Sequence, residues 1–105
     1  MIVYTGISTN DYHGRTLLEL MKNGLPTGAY AATEPYIAEY YKKTHYPKDG
    51  AIIAFDIPHV MDYSIVTDTY KNGKSLMLTR KPRWQRFVKV GDMAADFEGL
   101  ASNYD

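Results

Sequence analysis

Residues 51–57 read Ala-Ile-Ile-Ala-Phe-Asp-Ile, and Pro58 follows them directly. Six of these seven residues are apolar, and the run is as short as a strand that is buried in a sheet. Turn-forming residues precede it at 47–50, Pro-Lys-Asp-Gly, and a proline stops a strand because it cannot donate a ladder hydrogen bond. The segment therefore predicts a buried strand, around which the rest of the chain can be placed.

A strand and a helix are predicted at the start of the chain. Residues 1–7 are typical of a short buried strand that ends in a polar run. Residues 14–23 carry apolar side chains at helical spacing, and Gly24 stands where a helix stops. Asp11 or a nearby hydroxyl is expected to cap the start of this helix.

A second strand and a second helix are predicted between Gly24 and the buried strand. Residues 29–32, Ala-Tyr-Ala-Ala, read as a short strand of small residues. Thr33 is expected to cap the next helix, which carries Glu34 and Pro35 in its first turn and runs to about Thr44.

The chain after Pro58 predicts strands and turns. Residues 63–70 and 75–80 predict a hairpin around Asn72-Gly73, because both central residues of a tight hairpin turn must accept a positive φ. Residues 84–90 alternate apolar with polar side chains, which is typical of a strand with one face in solvent.

The order of these elements indicates the fold class. Helices early and strands late predict one α+β domain over residues 1–105, with a small, split, mostly antiparallel sheet and two short helices in its N-terminal half. After Asp92 we expect one helical turn, and residues 102–105 are expected to fray.

The charge balance limits the class of partner. Twelve basic residues offset twelve acidic ones, which disfavours a protein that binds nucleic acid mainly by neutralising phosphates. A local basic patch remains, either as the solvated face of a hairpin or as a site for a phosphate-bearing ligand or an acidic partner. It comprises Lys71, Lys74, Arg80, Lys81, Arg83, Arg86 and Lys89.

Several kinds of site are excluded or disfavoured by composition and spacing. The chain has no cysteine, which excludes disulfides and thiolate chemistry. Its three histidines, His13, His45 and His59, lack the spacing of a metal site, so no metal is expected. No phosphate-binding glycine loop and no nucleophile elbow occur. No apolar run is long enough to cross a bilayer, and the N-terminus does not read as a signal peptide, so we expect a cytoplasmic protein without a membrane partner.

The predicted elements bring a cleft together. Two strand ends and the start of the second helix should lie side by side, and small residues should leave room between them, with Tyr30 as an aromatic wall. These small residues are Gly6, Gly28, Ala29, Ala31 and Ala32.

Part of this pattern resembles the ADP-ribosyltransferase superfamily, including its toxin-like and poly-ADP-ribose-polymerase-like branches. Residues 28–32, Gly-Ala-Tyr-Ala-Ala, with 38–41, Ala-Glu-Tyr-Tyr, are similar to the family's middle motif, and Asn23-Gly24-Leu25 is similar to the turn before it. The resemblance covers roughly residues 2–58. It implies a split sheet that binds NAD, and transfer of ADP-ribose to a macromolecular target.

The resemblance also implies roles for individual residues. Tyr30 takes the place of the aromatic residue that stacks on nicotinamide, and Gln85 falls near the position of the catalytic glutamate, which stabilises positive charge on the ribose carbon. Thr5 stands where the family has His or Arg. His13 or Arg15 could replace that residue, and Glu34 or Glu98 could supply the missing acid. The implied NAD-binding residues are Thr5, Gly6, His13, Arg15, Tyr30 and Tyr41.

Three functions remain open from the sequence. The first is a minimal NAD-dependent ADP-ribosyltransferase. The second is a non-catalytic relative that binds a nucleotide or a protein, such as an inhibitor or regulator from a phage or mobile element. The third is an unrelated interaction protein whose basic hairpin and exposed aromatic residues, such as Tyr70 and Trp84, face a partner, with the cleft filled by side chains.

Overall fold

The computed structural model of the protein describes residues 1–59 and 62–100, so the expected frayed tail lies outside the described residues. Nine elements of secondary structure follow one another within these ranges. In chain order they are β1 (Ile2–Ser8), α1 (Leu17–Asn23), β2 (Tyr30–Ala32), α2 (Pro35–His45), β3 (Gly50–Asp56), β4 (Ser64–Tyr70), β5 (Gly73–Leu78), β6 (Arg86–Gly91) and a 3₁₀ helix (Ala94–Phe97).

The six strands form one sheet in the order β4-β5-β2-β1-β3-β6, and all neighbours are antiparallel. The predicted α+β class, the antiparallel sheet and the two helices in the N-terminal half are therefore confirmed. The sheet is continuous across all six strands rather than divided into two separate sheets.

The longest strand pairing in the sheet is that of β1 with β3, which is in register from Ile2–Asp56 to Ser8–Gly50. Alternate residues of these strands enter two apolar clusters, one that includes Leu20 of α1 and one that includes Ile37 of α2. Because both faces are covered, nearly every side chain of β3 is buried, as its apolar run predicts.

The junction of β1 with β2 is the narrowest in the sheet. Its register has a single pair, Tyr4 with Ala32, whereas all three residues of β2 pair with β5. Thr5 and Gly6 continue β1 beyond that pair. The sheet therefore has a shallow opening at its centre, between β1 and β2.

The positive φ angles that were expected at Asn72 and Gly73 occur in a different turn. The β4–β5 hairpin closes through Lys71-Asn72 with Tyr70 paired to Gly73, and neither Asn72 nor Gly73 has a positive φ. Gly73 is instead required by packing, because a Cβ there would lie 2.8 Å from Glu34 Cγ and 2.9 Å from Ile37 Cδ1. A tight turn with two positive φ angles does occur, at His13 (52°) and Gly14 (77°).

That turn shortens the first helix. Tyr12 and Arg15 bridge across it, so α1 begins at Leu17 rather than at Gly14. Thr16 is the N-cap, and its hydroxyl and the Glu19 carboxylate form a capping box. Asp11 caps no helix, since its carboxylate accepts from the Gly14 N–H at 2.9 Å.

The N-cap of the second helix is one residue later than predicted, at Glu34 rather than Thr33. Glu34 occupies the N-cap position of α2 and makes no capping hydrogen bond. Thr33 is buried, and its Oγ1 accepts from the Lys74 N–H at 2.9 Å, which ties the end of β2 to β5. The Thr33 hydroxyl therefore accepts from the backbone N–H of Lys74 on β5 instead of capping the helix. Within the described ranges, no helix is long and apolar enough to cross a membrane.

Candidate functional site

A cavity of about 220 Å³ opens at the narrow β1–β2 junction. The helix that borders it is α2, which contributes Ala38, Tyr41 and His45 from its middle and end. The expected contribution of the helix N-terminus is wrong, because no residue of the first turn of α2 is among the residues that line the cavity. We call this cavity the cleft, and its lining is Tyr4, Thr5, Gly6, Tyr12, His13, Tyr30, Ala31, Ala32, Ala38, Tyr41, His45, Tyr46 and Ser75.

Small residues keep the cleft open, as predicted, but not all of the predicted ones do so. Gly6, Ala31 and Ala32 line it, together with Ala38 of α2. Gly28 and Ala29 do not line it.

Gly6 has a second role in bringing α2 to the sheet. A Cβ at Gly6 would lie 2.6 Å from the Ala38 carbonyl oxygen and 2.8 Å from the Lys42 nitrogen. Both atoms belong to the helix backbone, which cannot yield as a side chain can. Only glycine therefore allows α2 to lie this close to β1 and to form one wall of the cleft.

Three nearly parallel rings form a row along the cleft. The Tyr30 and Tyr41 rings have centroids 6.1 Å apart with 19° between their planes, and the Tyr41 and His45 rings are 5.4 Å apart at 26°. Tyr30 keeps 41% of its surface exposed, so one side of the row is open to a ligand. We call Tyr30, Tyr41 and His45 the ring row.

Tyr12 and Tyr46 form a second aromatic wall. Their rings meet edge to face at 6.4 Å, and the His13 ring lies 4.5 Å from that of Tyr12. The Tyr12 hydroxyl accepts from the Tyr30 N–H at 3.2 Å, which fixes the position of the ring row's first member.

Burial holds three tyrosine hydroxyls of the lining, those of Tyr4, Tyr12 and Tyr46, in their neutral form. Burial raises the pKa of Tyr12 well above its usual value, and neighbouring tyrosines add to this effect. Burial also raises the pKa of Tyr4 and of Tyr46. At neutral pH these three hydroxyls therefore carry no phenolate charge.

One residue of the lining has a buried hydroxyl without a partner among the described residues. Thr5 is 2% exposed, and its Oγ1 makes no hydrogen bond to any residue that the structure describes. Its neighbours on the strand, Tyr4 and Gly6, also line the cavity. A buried hydroxyl without a partner is uncommon in proteins and costs free energy unless a ligand or solvent satisfies it.

Five of the six residues implied to bind NAD come together here. Thr5, Gly6, His13, Tyr30 and Tyr41 all line the cleft. Arg15 does not, because its guanidinium turns back and donates to the His13 carbonyl at 2.8 Å. It therefore supports the turn rather than facing a ligand.

Gln85, the residue expected at the catalytic position, lies outside the cleft lining. Its side-chain amide binds the backbone of Leu25, and it packs so closely on Gly24 that a Cβ there would be 2.4 Å from Gln85 Cδ. The two acids suggested as replacements are also elsewhere: Glu34 borders a second, shallow hollow near Lys71, and Glu98 is exposed beyond the 3₁₀ helix. No Asp or Glu is among the residues that line the cleft.

Sequence reasoning missed six lining residues: Tyr4, Tyr12, Ala38, His45, Tyr46 and Ser75. One signal was available for His45, since Ala38, Tyr41 and His45 recur at the spacing of a single helix face. No local pattern marks Tyr12, which reaches the cleft only through the His13-Gly14 turn. Among the described residues, no group of three His, Asp or Glu side chains could hold a metal.

Three of the seven residues of the basic patch make contacts within the molecule. Arg86 lies 3.8 Å from Asp56 and 5.8 Å above the Trp84 ring, Lys89 contacts the Asp96 carbonyl, and Arg80 donates to the Asp62 carbonyl. Trp84 is 44% exposed. The third function predicts a cleft that is filled by side chains, whereas the cleft is open.

Comparisons of the whole chain with protein-family models, with curated proteins and with solved structures find no match. The assignment of a function therefore depends on the geometry of the cleft.

Proposed function

We propose that this protein binds NAD by its nicotinamide end in the cleft, and that it holds the dinucleotide without cleaving it. The proposal is consistent with the resemblance of residues 2–58 to ADP-ribosyltransferases, which bind NAD in a cleft beside an aromatic residue. The observation that carries it is the ring row beside an open cavity.

The ring row suits a flat, cationic heterocycle. The nicotinamide ring of NAD carries a positive charge, and tyrosine faces attract cations within about 6 Å of the ring centroid. Tyr30 is exposed at one end of the row and His45 at the other, and Tyr41 lies behind Tyr30 with 19° between their planes. A ring that stacks on Tyr30 would thus extend an arrangement that already exists.

The size of the cleft fits one end of the dinucleotide. Its volume of about 220 Å³ is below the range of about 300–1,000 Å³ that encloses a drug-sized ligand. A nicotinamide ring with part of its ribose fits such a volume, and the pyrophosphate and adenosine would extend from the mouth along the surface.

The lining does not favour transfer of ADP-ribose. Cleavage of the nicotinamide bond develops positive charge on the ribose carbon, and a preorganised carboxylate stabilises that charge. The residues that line the cleft include no carboxylate, and Gln85 is committed to Leu25. Retention of intact NAD is the expected outcome, as in a regulator or inhibitor whose activity depends on a nucleotide.

Calorimetric titration with NAD and with ADP-ribose tests the proposal. ADP-ribose lacks the ring that the cleft is expected to hold, so its affinity should be lower by about 1–3 kcal/mol, the contribution of one stacked ring. Equal affinities for the two ligands, or no heat with NAD at millimolar concentration, would contradict the proposal.

A parallel assay separates binding from transfer. NAD is incubated with the protein, free nicotinamide is measured, and the protein is weighed by mass spectrometry. We expect no nicotinamide release above the uncatalysed rate and no added ADP-ribose. Steady release or self-modification would show that the protein is a transferase and that an acid outside the cleft lining takes part.

A further inference from the structure

We infer that the cleft selects a ligand by the positive charge of its ring, and that the carboxylates of Asp11 and Asp49, which lie outside the lining, contribute to this selection. The inference rests on the proposed function, because the nicotinamide ring of NAD is cationic whereas the dihydronicotinamide ring of NADH is neutral. It adds a ligand class, the N-alkylpyridinium cations, and two specificity residues that stacking on Tyr30 does not provide. The protein should therefore bind NAD in preference to NADH.

The lining of the cleft supplies aromatic faces and no permanent positive charge. Five of its thirteen residues are tyrosines, and no Lys or Arg is among them. The face of a tyrosine ring attracts a cation within about 6 Å of its centroid, whereas a neutral ring of the same shape gains the stacking contact without this attraction. The lining groups that can acquire a positive charge are His13 and His45.

Two carboxylates act on the aromatic wall of the cleft from outside it. Burial first, and then the negative charges of Asp11 and Asp49, raise the pKa of Tyr46. Tyr46 lines the cleft, although neither aspartate does. The same two charges that disfavour a phenolate at Tyr46 favour a cation beside its ring.

The negative charges of these two aspartates are not cancelled by a neighbouring cation. The Asp49 carboxylate accepts from the Ser8 hydroxyl and from Asn10 Nδ2, and the Asp11 carboxylate accepts from the Gly14 N–H. All three donors are neutral. Among the ion pairs of the described residues, none includes either aspartate.

Two cations of the adjoining segments are engaged with other groups and do not line the cleft. The Lys42 ammonium is bound to the Asp92 carboxylate at 2.6 Å. Hydrogen bonds to Thr16, and further the charge of Arg15, lower the pKa of Glu19, so Arg15 also has a carboxylate near it. The charges around the cleft therefore favour a positive ring over a neutral one.

The test compares two pairs of ligands that differ in the charge of the ring. The small pair is 1-methylnicotinamide and its neutral reduced form, 1-methyl-1,4-dihydronicotinamide, and the large pair is NAD and NADH. Binding is measured at pH 8, where an imidazole in water is uncharged, so that a histidine charge does not oppose the cation.

The variants remove one negative charge at a time. They are Asp11→Asn, Asp49→Asn and the control Asp68→Asn, on the exposed strand β4 and away from the cleft lining. Asparagine at position 11 keeps an oxygen that can accept from the Gly14 N–H, so this variant should retain the turn.

The wild-type protein should bind 1-methylnicotinamide about three- to thirtyfold more tightly than its reduced form, the value of a cation–aromatic contact. Asp11→Asn and Asp49→Asn should each weaken binding of the cation by about two- to fivefold and leave binding of the reduced form unchanged. Asp68→Asn should bind both probes as the wild type does. Added salt should reduce the difference between the wild type and the first two variants, because it screens charges that reach solvent.

Two results would overturn the inference. Equal binding of the oxidised and reduced probes by the wild type would remove the selection by charge. Equal weakening of both probes in Asp11→Asn and Asp49→Asn, independent of salt, would show that these aspartates act through the structure of the site rather than through their charge.

The outcomes also separate this inference from the proposed function. If NAD and NADH bind with equal affinity, dinucleotide binding stands and the selection by charge fails. If the cationic probe is preferred and NAD does not bind, the cleft is a pyridinium site and the dinucleotide proposal fails.

Discussion

The side-chain amide of Gln85 is paired with the backbone of Leu25: Oε1 accepts from the Leu25 N–H at 2.7 Å, and Nε2 donates to the Leu25 carbonyl at 3.0 Å. Leu25 is fully buried, so the pair ties the chain before β6 to the segment after α1. The residue that was expected at the catalytic position thus holds two distant segments together.

The first prediction concerns Gln85→Glu. A glutamate can accept from the Leu25 N–H but cannot donate to its carbonyl, so one hydrogen bond is replaced by a repulsive contact. We expect a loss of about 1–3 kcal/mol in the free energy of unfolding, measured by urea denaturation, and no gain in nicotinamide release.

The control for this change is Asn72→Asp, which makes the same amide-to-acid replacement in an exposed turn and should leave stability nearly unchanged. If Gln85→Glu were as stable as the wild type and accelerated nicotinamide release, Gln85 would belong to the reaction after all.

The second prediction concerns the hydrogen bond that positions the ring row. Tyr12→Phe keeps the buried ring but removes the hydroxyl that accepts from the Tyr30 N–H. The donor is then left without its partner, and the free energy of unfolding should fall by about 1–3 kcal/mol. Tyr36→Phe, at an exposed tyrosine at the start of α2, is the matched control and should have little effect. Identical unfolding curves for the two variants would show that the Tyr12 hydroxyl is dispensable.

The third prediction concerns stability at low pH. The carboxylate of Asp49 accepts from the Ser8 hydroxyl and from Asn10 Nδ2, and these hydrogen bonds, that of Ser8 first, lower the pKa of Asp49. Since the folded pKa lies below the unfolded one, the stabilisation is complete above the unfolded value of about 4 and is lost as the pH falls through the folded pKa.

Asp49→Asn should therefore lower the melting temperature at pH 7, and its difference from the wild type should shrink as the pH approaches 2. Asp68→Asn, on the exposed strand β4, serves as the control. A difference that stays constant between pH 7 and pH 2 would mean that the charge of Asp49 does not contribute.

The elements that could be predicted from the sequence are those with a local cause. The apolar run of β3 predicts burial on both faces of the strand. Within a helix, a proline fits only in the first turn, so Pro35 marks the start of α2. The resemblance also assigned Tyr30 and Tyr41 to one site, and both line the cleft.

The features that could not be predicted depend on contacts between distant segments. Gln85 and Leu25 are 60 residues apart, and nothing in either segment indicates that an amide will meet a backbone there. Thr33 and Gly73 fit a cap and a turn by local rules, but both are used in packing of β2 and α2 on β5. A tertiary contact overrides local propensity where it satisfies more hydrogen-bonding groups or packs more side chains.

The most direct test of the central claim is NAD titration of Tyr30→Ala beside Tyr36→Ala. The two tyrosines are almost equally exposed, at 41% and 42%, but only Tyr30 lines the cleft. Loss of a stacking face should weaken NAD binding to Tyr30→Ala by about 1–3 kcal/mol, and Tyr36→Ala should bind as the wild type does. NAD affinity that is the same for all three proteins would contradict the account.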